Sequence, residues 1–509
     1  MDITWLFWLV VKFLALLLFA VLFLYIGREI IVYHNLSFFR KQGVKCHYIP
    51  FLGNVGLFIK KKGQHDQLAT VRKFLEDSKD EPLVMINSNK MRMSTGFLLD
   101  ENLIKEFLLK ELDHCHKKQF FSHCNFGFFF ENGEKLLEAR ASYSKFFNYD
   151  NLKQMMTLIN KVLVDKLNDL TQTKLSPTEY RQFRVKDFMK EIFNHLVNSL
   201  VFGEQKQTLV DGIDLPQAIQ EYVCGVFALN TQAKNILTLE YLHDYLILPE
   251  SRYWLERGRK LEEAVWKIYQ QRVQEGPRSV PNLLDLLIQR NQELKAEGKP
   301  ELTKREIAGH FNLLQFAAAD TSMETSTSSF MLMAKNESVK REFVKIVEAA
   351  TSHKQKHDIL DFEDLNRSDA LDMYLNEFLR IGAPFAIIAP REFIKPTKIG
   401  KYEFRAGDRL MIPSSLINTF SKFHEHPLEF NPERFTKENL SKISKVGLGT
   451  FGFGKRTCVG KFLGELLVKT ILVNFTRFMD FKLDPTYEES KIVTLAYGYE
   501  DPTLLARSI

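Results

Sequence analysis

The residues best placed to do chemistry are in Phe451-Gly452-Phe453-Gly454-Lys455-Arg456-Thr457-Cys458-Val459-Gly460. Read as F-x-x-G-x-R-x-C-x-G, the segment sets one cysteine in a glycine-rich loop, just ahead of a helix expected to begin near Gly460. Glycines let backbone N–H groups approach a large soft anion closely. Amides at a helix N-terminus, with the dipole behind them, stabilise a thiolate. Cys458 held this way is a soft ligand for a transition metal. Arg456 is spaced to meet a carboxylate of whatever the loop holds. The other four cysteines, Cys46, Cys115, Cys124 and Cys224, are scattered. With no C-x-x-C pair and no Cys/His ligand spacing, they argue against a disulfide framework or a structural zinc site, and for a reducing compartment.

At these residues the sequence resembles the cytochrome P450 family, the haem-thiolate monooxygenases. There the loop cysteine is the proximal ligand that makes haem iron cleave an O–O bond. The resemblance extends from the N-terminal segment to the end of the chain, and further landmarks follow in the family's order. Glu377-Phe378-Leu379-Arg380 matches E-x-x-R, and Pro432-Glu433-Arg434-Phe435 matches P-E-R-F. The resemblance implies a buried ionic triad of Glu377, Arg380 and Arg434, structural rather than catalytic. Ala317-Ala318-Ala319-Asp320-Thr321-Ser322 resembles the acid–alcohol segment of the long helix crossing the distal face of the haem. A carboxylate and a hydroxyl at a local break in that helix organise water to deliver protons. Ala318 stands where the family usually has glycine. Gly133–Arg140 resembles the W-x-x-x-R helix with Leu136 in place of tryptophan. Arg140, and Arg391 after Ala389-Pro390, match positions that bind haem propionates. Phe451, Arg456 and Gly460 belong to the same cofactor-binding set, with Cys458 as iron ligand.

These groups need a large scaffold. The chain has 509 residues, 45% hydrophobic and 26% charged, with 25 Gly and 16 Pro. That is globular composition, with enough apolar sequence for a large core. Long proline-free stretches with helical apolar spacing (residues 136–175, 185–215 and 304–382) alternate with short β-like pieces near 82–94 and 387–413. The expected fold class is therefore mainly α with small β-sheets, in the cytochrome P450 fold. A net charge of +6 over this length is too mild and dispersed for a nucleic-acid binder.

Residues 3–26 are apolar apart from Thr4 and Lys12, long enough for one transmembrane helix, with Trp5, Trp8 and Tyr25 near its ends. No small-x-small cleavage pattern follows. Arg28, Arg40, Lys41 and Lys45 lie downstream, which places the body of the chain in the cytoplasm. The expected organisation is an anchor at 1–27, a tether at 28–49 and a catalytic domain at 50–509, in the endoplasmic reticulum membrane.

The resemblance implies haem b as cofactor and insertion of one oxygen atom from O2 into an apolar, lipophilic substrate. It also implies NADPH electrons arriving through a flavoprotein reductase in the same membrane. Lys442, Lys445, Lys455 and Lys461, near the cysteine loop, are candidate reductase contacts. The phenylalanines between Cys115 and Asn132 (Phe120, Phe121, Phe126, Phe128, Phe129, Phe130), with 311–316 and 383–388, are the expected apolar lining. A haem-thiolate isomerase or dehydratase and a non-catalytic haem sensor are the alternatives. Isomerase relatives commonly lose the distal threonine, so Thr321 argues against the first.

Overall fold

The apolar periodicity of the middle of the chain becomes a stack of helices. A computed structural model describes residues 3–509 except 51–52, 58–59, 61–62, 89–90, 118–125, 204–207, 232–247, 277–281, 386–389 and 494–495. Phe120 and Phe121 lie outside the described residues. The longer helices are α1 (Ile3–Arg40), α2 (Glu101–His114), α3 (Gly133–Phe146), α4 (Tyr149–Thr173), α5 (Val185–Val197), α6 (Leu215–Thr231), α7 (Pro249–Glu275), α8 (Leu283–Ala296), α9 (Lys304–Leu314), α10 (Thr321–Lys335), α11 (Glu337–Thr351), α12 (Asp369–Ile381) and α13 (Lys461–Phe478).

In α4, Leu152, Met156, Ile159, Leu163, Leu167 and Leu170 recur every three to four residues and form the buried stripe. That stripe packs on α13, where Asn474 donates to Asn160 Oδ1 at 2.8 Å. Helix α9 opens with a capping box in which Thr303 and Glu306 bond each other's backbone amides. It runs through a π-helical turn, Gln315–Asp320, directly into α10. That single 32-residue helix, 304–335, crosses the core and packs on α13, α5 and α6.

The sheets are small. The largest has the order β1-β2-β3-β6-β5-β4, from β1 (Lys45–His47), β2 (Leu83–Ser88), β3 (Met91–Leu98), β4 (Cys115–Lys117), β5 (Arg391–Phe393) and β6 (Arg409–Met411). β1–β2 and β3–β6 are parallel and the other pairs antiparallel. Gly96 in β3 lets Met85, Leu410 and Leu83 close over it: a Cβ there would sit 2.5 Å from Met85 Sδ, and those side chains would have to shift. β4 and β5 lie side by side, with Lys117 opposite Arg391. That register brings two basic residues, 274 positions apart in the chain, to one place.

Helix α1 runs unbroken through Gly27 to Arg40, and its Leu36 and Phe39 are 0% exposed in the core over the large sheet. The stretch expected as a tether is thus helical for most of its length. Among the described residues no helix is long and apolar enough to cross a membrane, so the transmembrane anchor expected at 1–27 is not shown. Trp5, Trp8, Phe13, Leu16, Phe19 and Phe23 of α1 all stand exposed.

Candidate active site

The cysteine loop is shaped by its glycines. Gly452 (φ +70°) and Gly454 (φ +63°) adopt the left-handed conformation that a side chain disfavours. At Gly449 a Cβ would sit 2.7 Å from the Ser414 carbonyl oxygen. Cys458 N–H closes the loop by donating to Phe451 O at 2.8 Å. Gly460 caps α13, and its amide hydrogen-bonds the Cys458 sulfur. Burial pushes the thiol up from its ordinary range, while the Gly460 amide, Arg140 and Lys461 pull it down. The side chain is nevertheless accessible.

The long helix presents a second accessible stripe. Leu314, Ala317, Ala318 and Thr321 are partly exposed, while their neighbours Phe316, Ala319 and Asp320 are buried. The spacing is that of one helix face. Thr321 Oγ1 donates to Ala317 O at 2.6 Å, across the π-turn. Asp320 turns away from that stripe. Its Oδ1 accepts Gln220 Nε2 at 2.6 Å and its Oδ2 accepts the Cys224 thiol at 3.7 Å, both from α6. Burial raises the Asp320 carboxyl above its ordinary range. The expected acid and alcohol are adjacent in sequence but face different neighbours.

Phenylalanines surround this stripe. Phe316 lies 5.9 Å from Phe129, 5.5 Å from Phe227 and 6.1 Å from Phe385, centroid to centroid. Phe126 lies 5.4 Å from Phe227 and 6.1 Å from Phe130. Phe227, on α6, escaped the sequence reading because it lies outside every matched motif.

Between the two faces is a basic cluster. Arg391 Nε donates to Glu111 Oε1. Arg456 Nε lies 3.2 Å from the same oxygen without a hydrogen bond, while its Nη2 donates to Asn132 Oδ1 at 2.8 Å. The buried Lys117 ammonium sits 2.9 Å from the centre of the Phe129 ring. Burial drives it well below the ordinary lysine range, and Arg391 and Arg456 add to that effect. Arg140 lies within the electrostatic reach of both Cys458 and Arg456.

Arg391, Arg456 and Lys117 thus crowd round one carboxylate, Glu111, with Arg140 near Arg456. Buried charge of one sign calls for counter-charge, and two further carboxylates beside a soft ligand are what a haem with its two propionates brings. The residues present fit that group. Leu136, in place of the family tryptophan, is buried and offers no donor. Glu111, Lys117 and Asn132 were not read from the sequence. The signal available was electrostatic, since several arginines bound for one site need an acid to hold them apart before the cofactor arrives.

The three residues expected as a triad come together. Arg380 donates to Glu377 through Nε (2.6 Å) and Nη2 (2.7 Å), with both side chains 0% exposed. Its remaining N–H groups meet the carbonyls of Asn418, Pro427 and Glu429. Arg434 Nε is 3.6 Å from Glu377 Oε1, an ion pair rather than a hydrogen bond.

Comparison with known proteins bears on family and fold. The family model "Cytochrome P450" matches residues 46–498. "Probable cytochrome P450 9f2" of Drosophila melanogaster is 23% identical, over 89% of this chain and 90% of that protein. "Cytochrome P450 9e2" of Blattella germanica is 23% identical over 90% of each chain. "Cytochrome P450 71B26" of Arabidopsis thaliana is 28% identical over 40% of each. A solved structure, "Crystal structure of cytochrome P450DA heme domain", superposes with a TM-score of 0.73 at 17% identity, covering 92% of this chain and 98% of that one, a likeness of fold. The chain belongs to the cytochrome P450 family, and is a monooxygenase whose haem iron is held by a thiolate.

Proposed function

We propose that Cys458 is the thiolate ligand, that Arg140, Arg391 and Arg456 hold the haem propionates with Lys117 beside them, and that the substrate is an apolar, lipophilic molecule. Haem supplies the activation of O2 and the insertion of one oxygen atom. The protein's contribution is placement. Phe126, Phe129, Phe227, Phe316 and Phe385 exclude water and favour an apolar guest by burying its surface. Thr321 has spent its hydroxyl hydrogen on Ala317 O, so its oxygen is left to accept a hydrogen bond at the distal stripe. Asp320 is the acid from which protons reach that stripe.

The observation that carries this reading is the convergence of Arg391 and Arg456 on the one carboxylate of Glu111, beside an accessible thiol at the N-terminus of α13. The test is the carbon monoxide difference spectrum of the reduced protein. Wild type should give the red-shifted thiolate band and Cys458→His should lose it. A histidine-type band from intact wild type overturns the assignment.

Electrons are proposed to come from NADPH through a flavoprotein reductase. Lys442 and Lys455 are exposed near the cysteine loop, with Phe462 64% exposed beside Lys461. An apolar centre with a basic rim suits an acidic partner. Lys442 and Lys461 already pair with Glu438 and Glu465, so Lys455 is the strongest contact. Reduction should slow as salt rises, on the scale of a Debye length of about 8 Å. A salt-independent rate counts against this surface. The exposed apolar side of α1 supports attachment to the endoplasmic reticulum membrane, with the catalytic domain in the cytoplasm.

A further inference from the structure

Glu324 lies one turn beyond Asp320 on the long helix and is buried in the apolar core. Its Oε1 pairs with Lys186 Nζ of α5. Its Oε2 is also buried and has no hydrogen-bond partner. Strand β7 (Tyr497–Tyr499) passes so close that a Cβ at Gly498 would fall 1.9 Å from Oε2, so glycine is what admits the carboxylate. Lys186 also donates to Tyr499 O at 3.0 Å, which fixes the pair between α5, α10 and β7. Taking an ion pair out of water seldom adds net stability, and leaving one carboxylate oxygen unbonded makes it worse. Stability alone does not account for this acid.

Its position does. Lys190, exposed, and Lys186, half-buried, are one turn apart on α5. Both act electrostatically on Glu324 and on Asp320, and Asp320 acts on Glu324. A basic i,i+4 pair therefore faces an acidic i,i+4 pair, from the solvent rim to the residue next to Thr321. We propose that Glu324 is a second proton-carrying carboxylate, taking protons from solvent at the Lys186–Lys190 edge and passing them to Asp320. In each transfer a water O–H bond breaks as a Glu324 O–H bond forms. That bond breaks in turn as Asp320 takes the proton, and Glu324 returns to its Lys186-paired anion. No electrons move. The groups facing Glu324 are Lys186 and Lys190 from α5, Asp320 from its own helix and the Gly498 backbone from β7. Burial raises both carboxyls above their ordinary range against the pull of the lysines, which makes a protonated form accessible. Glu324 acts through Asp320 and is a positioning residue for the proton path.

The inference rests on Asp320 and Thr321 as the distal pair. Glu324→Gln keeps the size of the side chain and removes the titrating group. Infrared difference spectra of the ferric holoenzyme between acidic and alkaline pH should show a buried carboxyl band that E324Q lacks. Oxygen uptake driven by NADPH and a microsomal reductase, without added substrate, should release about three- to tenfold more hydrogen peroxide per O2 in E324Q, well under the roughly 10²–10⁴-fold that a proton-transfer group contributes to rate, because Asp320 is still present. Glu324→Asp should recover part of the loss. An unchanged band or an unchanged peroxide yield in E324Q overturns the inference. If E324Q fails to hold haem, Lys186→Gln at the rim carries the test: raised peroxide supports the path and unchanged peroxide overturns it. Thr321→Ala run in parallel tells the failures apart: unchanged peroxide in E324Q with raised peroxide in T321A overturns the Glu324 step alone, and unchanged peroxide in both overturns the distal pair and the inference that rests on it.

Discussion

The role proposed for Thr321 asks one hydroxyl to serve structure and chemistry together. Donation to Ala317 O holds the side chain in a fixed rotamer across the π-turn. Threonine gains little helix stability from this, and alanine is the better helix former by roughly half a kcal/mol. Thr321→Ala should therefore keep the fold and the haem. Loss of a proton-handling group costs on the order of 10²-fold where water partly substitutes, so product formed per NADPH oxidised should drop while oxygen uptake continues. An unchanged ratio would make Thr321 a helix residue and nothing more. His310, one helical element earlier, makes a prediction about pH. It is buried, shares a 2.9 Å hydrogen bond with Tyr143 of α3, and is pushed down to about 4 by burial. The folded protein binds this proton less readily than the unfolded chain, whose histidine titrates near 6.5. Stability from the neutral form is therefore complete above about 6.5 and is lost progressively as pH falls toward about 4. The full loss is about 3 kcal/mol. Urea unfolding across that window should show the slope in wild type and a flatter one in His310→Asn; equal slopes would show that other groups carry the acid sensitivity.

At the scale of elements, what could be read from the sequence was what short-range spacing encodes. Glu377 and Arg380 sit at i,i+3 on α12, and the cysteine loop and π-turn are contiguous segments, so motif and geometry coincide. Glu111, Lys117 and Asn132 were not legible, because the β4–β5 pairing that sets Lys117 beside Arg391 joins strands far apart in sequence. Asp320 was found, but its partners Gln220 and Cys224 depend on how α6 crosses the long helix, which no local pattern states. The Glu377–Arg380 pair carries its own prediction. Arg380 satisfies a fork of two carboxylate contacts and three carbonyls with no exposure. Lysine cannot reproduce that planar geometry, and alanine strips the buried carboxylate of both its Arg380 bonds, leaving only the Asn431 amide and the 3.6 Å pairing with Arg434, at about 3–5 kcal/mol. Arg380→Ala should lower the denaturant midpoint sharply and release haem, and Arg380→Lys should recover only part of the loss. Near-complete recovery by lysine would reduce the site to a simple charge pair.

At the scale of the whole molecule, α1 joins two kinds of surface in one helix. Trp5 to Phe23 present exposed apolar side chains, whereas Leu36 and Phe39 are sealed against the large sheet with Leu83, Leu98 and Phe404. The two ends therefore differ in what covers them: the sheet seals one, and the rest of the chain leaves the other open. Removal of residues 1–27 takes away only the exposed part and should leave haem content and thermal midpoint close to wild type. Removal of residues 1–40 also exposes the face that Leu36 and Phe39 cover, at about 1.5–3 kcal/mol for each lost side chain, and should lower the midpoint by several degrees. Vesicle co-sedimentation separates the roles further. The full chain should sediment with vesicles of neutral phospholipid at both low and high salt, because apolar burial is insensitive to screening. The chain lacking 1–27 should stay in the supernatant with its carbon monoxide band intact. If it still sediments with the vesicles, membrane attachment must come from the catalytic domain, and the exposed side of α1 would need another partner.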